Sequence, residues 1–133
     1  MREPSNVFHL AIPCKCLKET RHFYNKLLGC KIAREYEDRV TIDFFGDQIV
    51  CHLASDKIDE NPSIYPRHFG ITFKDLLEYE NLLKLVRERG VKIFKDEFIR
   101  FEGKIEEHKT FFLIDPSNNL LEFKYYFDSR MMY

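Results

Sequence analysis

A strand–helix–three-strand pattern is written twice in this sequence. His9-Leu10-Ala11-Ile12 returns as His68-Phe69-Gly70-Ile71, and Gly29-Cys30-Lys31-Ile32 returns as Gly90-Val91-Lys92-Ile93, at offsets of 59 and 61 residues. Matches that agree in order, spacing and residue type mark an internal repeat. In the first copy Val7–Pro13 reads as a strand closed by proline. Leu17–Leu28 follows as a helix, with Leu17, Thr20, Phe23, Tyr24, Leu27 and Leu28 on one face and Gly29 placed for a left-handed cap. Cys30–Arg34, Arg39–Phe45 and Gln48–Ala54 read as strands, the last pair joined at Gly46-Asp47. The polar stretch 55–66, with Pro62 and Pro66, is a linker. The second copy opens with the strand Arg67–Phe73. Its helix is capped by Asp75 with Glu78 three residues on, carries Leu76, Tyr79, Leu82, Leu83 and Val86, and ends at Gly90. Val91–Phe94, Thr110–Ile114 and Leu120–Tyr126 are its strands.

One βαβββ unit covers one face of its sheet with its helix and leaves the other bare. Two such units side by side form a curved surface with helices outside and a cleft inside. The expected class is therefore α+β, with two βαβββ repeats (about 6–54 and 67–127) forming a curved mixed eight-stranded sheet around a cleft, all in a single domain, 1–133. A chain of 133 residues with 15% aromatic content has material for one such core. Its net charge of −1 gives no electrostatic case for nucleic acid or an anionic membrane. No apolar run is long enough to span a bilayer, and Met1–Asn6 has no signal-peptide core, so the expected location is the cytoplasm. Cys14, Cys16, Cys30 and Cys51 lack zinc-knuckle spacing and read as reduced, small apolar residues.

The chemistry begins at the hairpin Thr110–Lys124, turned at Asp115-Pro116-Ser117-Asn118-Asn119. Glu122 is a carboxylate inside Leu120-Leu121-Glu122-Phe123, which otherwise reads as buried. A lone buried carboxylate costs several kcal/mol, by order of magnitude, unless a cation or hydrogen bonds meet it. His9 and His68 are misplaced in the same way, at equivalent first-strand positions of the two copies. These three are the candidate metal ligands. The plainer reading makes the histidines satisfied core or edge residues and Glu122 a rim partner of Lys124. His52 shares a strand face with Gln48 and Val50. It is a candidate fourth ligand, proton-transfer residue or substrate hydrogen-bond donor, against a solvated strand end. His22 and His108 read as surface. Arg100 and Lys124 are candidates to hold an anionic substrate. The tail Tyr125–Tyr133 reads as core or dimer surface.

Several segments together resemble the vicinal oxygen chelate superfamily of glyoxalases, extradiol dioxygenases and fosfomycin- and bleomycin-resistance proteins. They are Phe8–Pro13, Phe23-Tyr24-x-x-Leu27-Leu28-Gly29-Cys30, Asp43–Gly46, Gln48–Leu53, His68-Phe69-Gly70, Arg100-Phe101-x-Gly103 and Phe112-x-x-Asp115-Pro116-x-x-Asn119-x-x-Glu122-Phe123-Lys124. The likeness is strongest to an extradiol-type dioxygenase branch. Departures are Asp47 and His108, where that branch carries His and Gln, and Asn118 in place of Gly. The resemblance implies a metal-containing cleft with His9, His68 and Glu122 on a divalent metal. Fe(II) is the preference, with Mn, Zn, Ni or Co as alternatives. It implies a dioxygenase acting on a small catechol-like vicinal-oxygen substrate, with His52 handling the proton. The alternatives are a glyoxalase-like lyase or isomerase, or a non-catalytic resistance-type binder. It also implies a homodimer, with the site either within one chain or shared between two.

Overall fold

The computed structural model describes residues 2–133. Among these residues there are eight strands and two α-helices. They run β1 (His9–Cys14), α1 (Leu17–Arg21) continued by a π-helical turn (His22–Leu27), β2 (Lys31–Glu35), β3 (Arg39–Phe44), β4 (Asp47–Leu53), β5 (Phe69–Phe73), α2 (Leu76–Glu88), β6 (Ile93–Arg100), β7 (His108–Ile114) and β8 (Leu120–Tyr126). The strands form two four-stranded mixed sheets, β1-β4-β3-β2 and β5-β8-β7-β6. In each, the first strand of the unit lies parallel to the last and the other neighbours are antiparallel. The α+β class and the two βαβββ repeats are thus adopted, with the same strand order in both copies. Contacts divide the chain into two compact units. The first runs to Glu60 and includes Pro116–Asn118; the second is Asn61–Asp115 with Asn119–Tyr133.

Within each unit the helix covers one sheet face, as the apolar spacing requires. In the first unit Thr20, Phe23, Tyr24 and Leu28 are buried with Ile12, Cys14, Ile42, Phe44, Ile49 and Cys51, and Tyr24 meets Phe44 edge-on at 6.3 Å between ring centroids. In the second, Tyr79, Leu82, Leu83 and Val86 of α2 are buried, and Tyr79 packs on Phe111, which stacks on Phe123 at 5.4 Å. The alternate residues of each strand face the other way. Among them are His9, Gln48 and His52 in the first unit and Glu122, Lys124 and Tyr126 in the second.

Some local expectations are corrected. Pro13 lies inside β1, paired with His52, because β1 is an edge strand where a missing N–H breaks no central ladder. The first helix leaves α geometry after Arg21: Leu28 N–H donates to Phe23 C=O. This wider turn brings the adjacent Phe23 and Tyr24 both inside. Gly29 then takes φ 79°, and Cys30 N–H closes on Tyr24 C=O as a left-handed cap. The β3–β4 turn sits on Phe45 and Gly46, at φ 53° and 94°, one residue earlier than read. Asp75 caps α2 as expected, accepting from Leu77 N–H at 2.7 Å. No helix is long and apolar enough to cross a membrane among the described residues.

Candidate metal centre

Glu122 sits in β8, flanked by β5 and β7, with Gly70 and Phe112 opposite it. It is 7% exposed. Its Oε1 accepts from Thr110 Oγ1 at 2.8 Å, Thr110 being a fully buried residue of β7. Its Oε2 faces His68 Nε2 at 3.0 Å and Lys124 Nζ at 3.8 Å. Gly70 lets β5 lie this close to β8: a Cβ there would lie 1.6 Å from the Glu122 carbonyl oxygen.

His68, immediately before β5, is held from behind. Its Nδ1 lies 2.6 Å from the Ile64 carbonyl oxygen. A carbonyl only accepts, so Nδ1 carries the proton. In the neutral ring Nε2 is then a bare lone pair aimed at a carboxylate oxygen. Two acceptors at that distance need a cation between them, either a second proton on the ring or a metal ion. The spacing suits a metal: two ligand atoms, each about 2.1 Å from an ion and at a right angle, lie about 3.0 Å apart. The orienting carbonyl is the outer-shell partner that metal-binding imidazoles use. Phe112 and Tyr65 stand edge-on to the His68 ring at 5.5 and 6.0 Å.

In the first unit His9 is exposed at the head of β1 and paired with Gln48 of β4. Its Nδ1 is 2.6 Å from Gln48 Oε1, so it too is oriented by an acceptor and presents Nε2 outward. A crevice of about 410 Å³ bordered by Val7, Arg34, Thr41, Asp43 and Gln48 opens beside it. The structure thus brings His68 and Glu122 together and gives His9 a matching orientation in its own unit. Among the described residues no group of three or more His, Cys, Asp or Glu side chains is placed to hold a metal.

A family profile for the Glyoxalase/Bleomycin resistance protein/Dioxygenase superfamily matches residues 6–123. The chain belongs to that superfamily. It is similar over 100% of both chains, at 64% identity and TM-score 0.96, to a glyoxalase/bleomycin resistance protein/dioxygenase from Alicyclobacillus acidocaldarius of known crystal structure. Two more distant structures share the fold. One is a fosfomycin resistance protein from Listeria monocytogenes (16% identity, 96% and 98% covered, TM-score 0.74). The other is a lactoylglutathione lyase from Agrobacterium tumefaciens (15% identity, 93% and 96% covered, TM-score 0.68). Among curated proteins none matches significantly.

In this member of the superfamily His52 is exposed and stands opposite Pro13 and Arg39. It lies four residues along β4 from Gln48, about 13 Å at the usual strand rise. That is too far to share an ion with His9; the β4 residue corresponding to Glu122 is Val50, buried at 7%. Arg100 ends β6 and donates through Nη1 to Tyr65 Oη. Lys124 follows Glu122 on the same face and lies 5.4 Å from the Tyr126 ring centroid. His22 is exposed, as read.

His108 is corrected. It is 3% exposed, with Tyr126 at 4.5 Å and Phe101 at 5.9 Å between ring centroids, and Nδ1 2.9 Å from the Glu106 carbonyl oxygen. Its polar neighbours Glu106, Glu107 and Lys109 concealed a strand position that counting back in twos from Phe112 and Thr110 would have found. Gln48, Thr110 and Tyr65 were also missed. The first two follow from the register opposite His9 and Lys124; Tyr65 lies in a loop with no periodic signal.

Proposed function

We propose that this chain is a metal-dependent enzyme of the extradiol-dioxygenase type, working as a homodimer on a small vicinal-oxygen, catechol-like substrate. The observation that carries the reading is the 3.0 Å approach of His68 Nε2 to Glu122 Oε2 with the His68 proton committed to the Ile64 carbonyl. With His9 as third ligand the set is two imidazoles and one carboxylate, the donor chemistry suited to Fe(II). Bound there, Fe(II) supplies open positions for two substrate oxygens and for O₂. Thr110 fixes the carboxylate rotamer through Oε1, and Ile64 and Gln48 fix the two rings. Phe112 and Tyr65 wall the His68 side. His52, exposed and about 13 Å along β4 from Gln48, is the group we assign to relay the substrate proton to solvent, not to remove it directly at the ion. Ring opening adds both atoms of one O₂ to one catechol, so no outside reductant is required.

The test is elemental analysis of native protein, then anaerobic Fe(II) loading and a catechol panel on an oxygen electrode. The expected result is one metal per chain and one O₂ consumed per catechol. A protein that takes up no divalent metal overturns the reading. One that loads metal but leaves every catechol intact removes the oxygenase assignment.

A further inference from the structure

Arg100 is a half-buried guanidinium with aromatic neighbours. Its Cζ lies 4.9 Å from the Phe101 ring centroid and 5.5 Å from that of Tyr65, and it donates to the Tyr65 hydroxyl. Among the described residues no carboxylate pairs with it. Lys124, with its side chain 28% exposed, has Glu122 Oε2 at 3.8 Å. That oxygen is the one turned toward His68, so a cation held by His68 and Glu122 would offset the carboxylate charge that Lys124 faces. Arg100 then has no acid and Lys124 only a compensated one, beside a third positive centre. A partly desolvated cation in that position favours an incoming anion. Tyr65 connects the two features, since its ring stands against His68 while its hydroxyl holds Arg100. Glu122 and Lys124 are two residues apart on one face, about 7 Å along the strand, a span that one benzene ring bridges.

We infer that Arg100, held by Tyr65, and Lys124 form a carboxylate-receiving subsite beside the His68–Glu122 pair, so that the substrate is a vicinal-oxygen chelator bearing a carboxylate. The chelating end rests on the function proposed above; the carboxylate end rests on the geometry of the second unit alone.

Calorimetry under argon on Mn(II)-loaded protein compares 3,4-dihydroxybenzoate with the neutral 3,4-dihydroxybenzamide. The benzoate binds roughly tenfold to a hundredfold more tightly. Arg100→Gln abolishes that preference while the benzamide affinity is held. A second arm titrates benzoate into metal-free protein, followed by NMR of the Arg100 side chain and Tyr65 ring. Saturable shifts are expected in the wild type and in His9→Ala. In Arg100→Gln, read at Tyr65, they vanish. Equal affinity for benzoate and benzamide, or benzoate binding unchanged in Arg100→Gln, overturns the subsite. Loss of 3,4-dihydroxybenzamide binding, with both carboxylate ligands still held through Arg100, keeps the subsite and removes the metal-centre reading instead.

Discussion

His68 Nε2 and Glu122 Oε2 stand 3.0 Å apart with the His68 proton on the far side of the ring. That pairing makes the site cation-dependent whatever the cation is. Removing either member leaves the other without its charge partner. We expect His68→Ala and Glu122→Ala each to weaken Mn(II) or Fe(II) binding by more than about a hundredfold, beyond the range seen for outer-shell changes. Equilibrium dialysis with elemental analysis measures this; stoichiometric metal in both variants would remove the pair from the ligand set.

Thr110 and Gln48 act one step out, by orienting Glu122 Oε1 and His9 Nδ1. Thr110→Val keeps the shape and deletes the donor. Gln48→Leu substitutes an apolar side chain of similar bulk and deletes the acceptor. Each is expected to cost about tenfold to a hundredfold in metal affinity. Far-UV circular dichroism should be unchanged. Unchanged affinity in a folded Thr110→Val protein would show that the carboxylate needs no such anchor.

Gly70 is where the fold and the site meet. A methyl group there would sit 1.6 Å from the Glu122 carbonyl oxygen, so β5 must move away from β8 or Gly70→Ala cannot fold natively. Overpacking of this kind costs about 1–3 kcal/mol or more. We expect a melting temperature lower by several degrees, together with weaker metal binding, because His68 rides on β5. Loss of stability with full metal affinity would separate the strand contact from the site.

The repeat made the topology legible, since His9 and His68 begin equivalent strands and Gly29 and Gly90 end equivalent helices. Glu122 was legible because a carboxylate among Leu120, Leu121 and Phe123 has no cheap place to go. Boundaries were less so. Pro13 reads as a stop, yet edge position tolerates it. Lys95-Asp96-Glu97 hid the middle of β6, where the pairing with β7 shifts register and charged side chains can leave the sheet. Tyr65 was out of reach because a loop residue is placed by tertiary contacts, here with His68 and Arg100, and not by any local period.

Cys30 gives a prediction independent of the site. Burial pushes its thiol up from 9.0 to about 12, Asp43 adding to the effect and a backbone hydrogen bond at Phe45 opposing it. The folded chain therefore keeps a proton that the unfolded chain releases. Stability from this group is complete below about pH 9 and falls as pH rises toward 12, by up to about 1.4 kcal/mol per pH unit. Urea unfolding of wild type and Cys30→Ala between pH 8 and pH 11 should show the wild type losing ground at that slope. In the native protein at pH 8 the half-exposed Cys16 should be alkylated well before Cys30. Parallel pH profiles for the two proteins would contradict the buried-thiol account.

The homodimer we propose sets where His9 comes from. If the first unit of one copy serves the second unit of another, a His9→Ala chain and a His68→Ala chain are each defective in both sites of their own homodimer. A mixed dimer then has one site missing both histidines and one site fully intact. Unfolding and refolding an equimolar mixture places about half of the chains in mixed dimers if pairing is random. Each mixed dimer restores one site in two, so about a quarter of the wild-type sites return, by combinatorial order of magnitude. Metal content of the refolded mixture at that level, against near-zero content for each variant refolded alone, is the expected outcome. A mixture no better than its two components would place all three ligands on a single chain, and a monomer in sedimentation with intact metal binding would do the same.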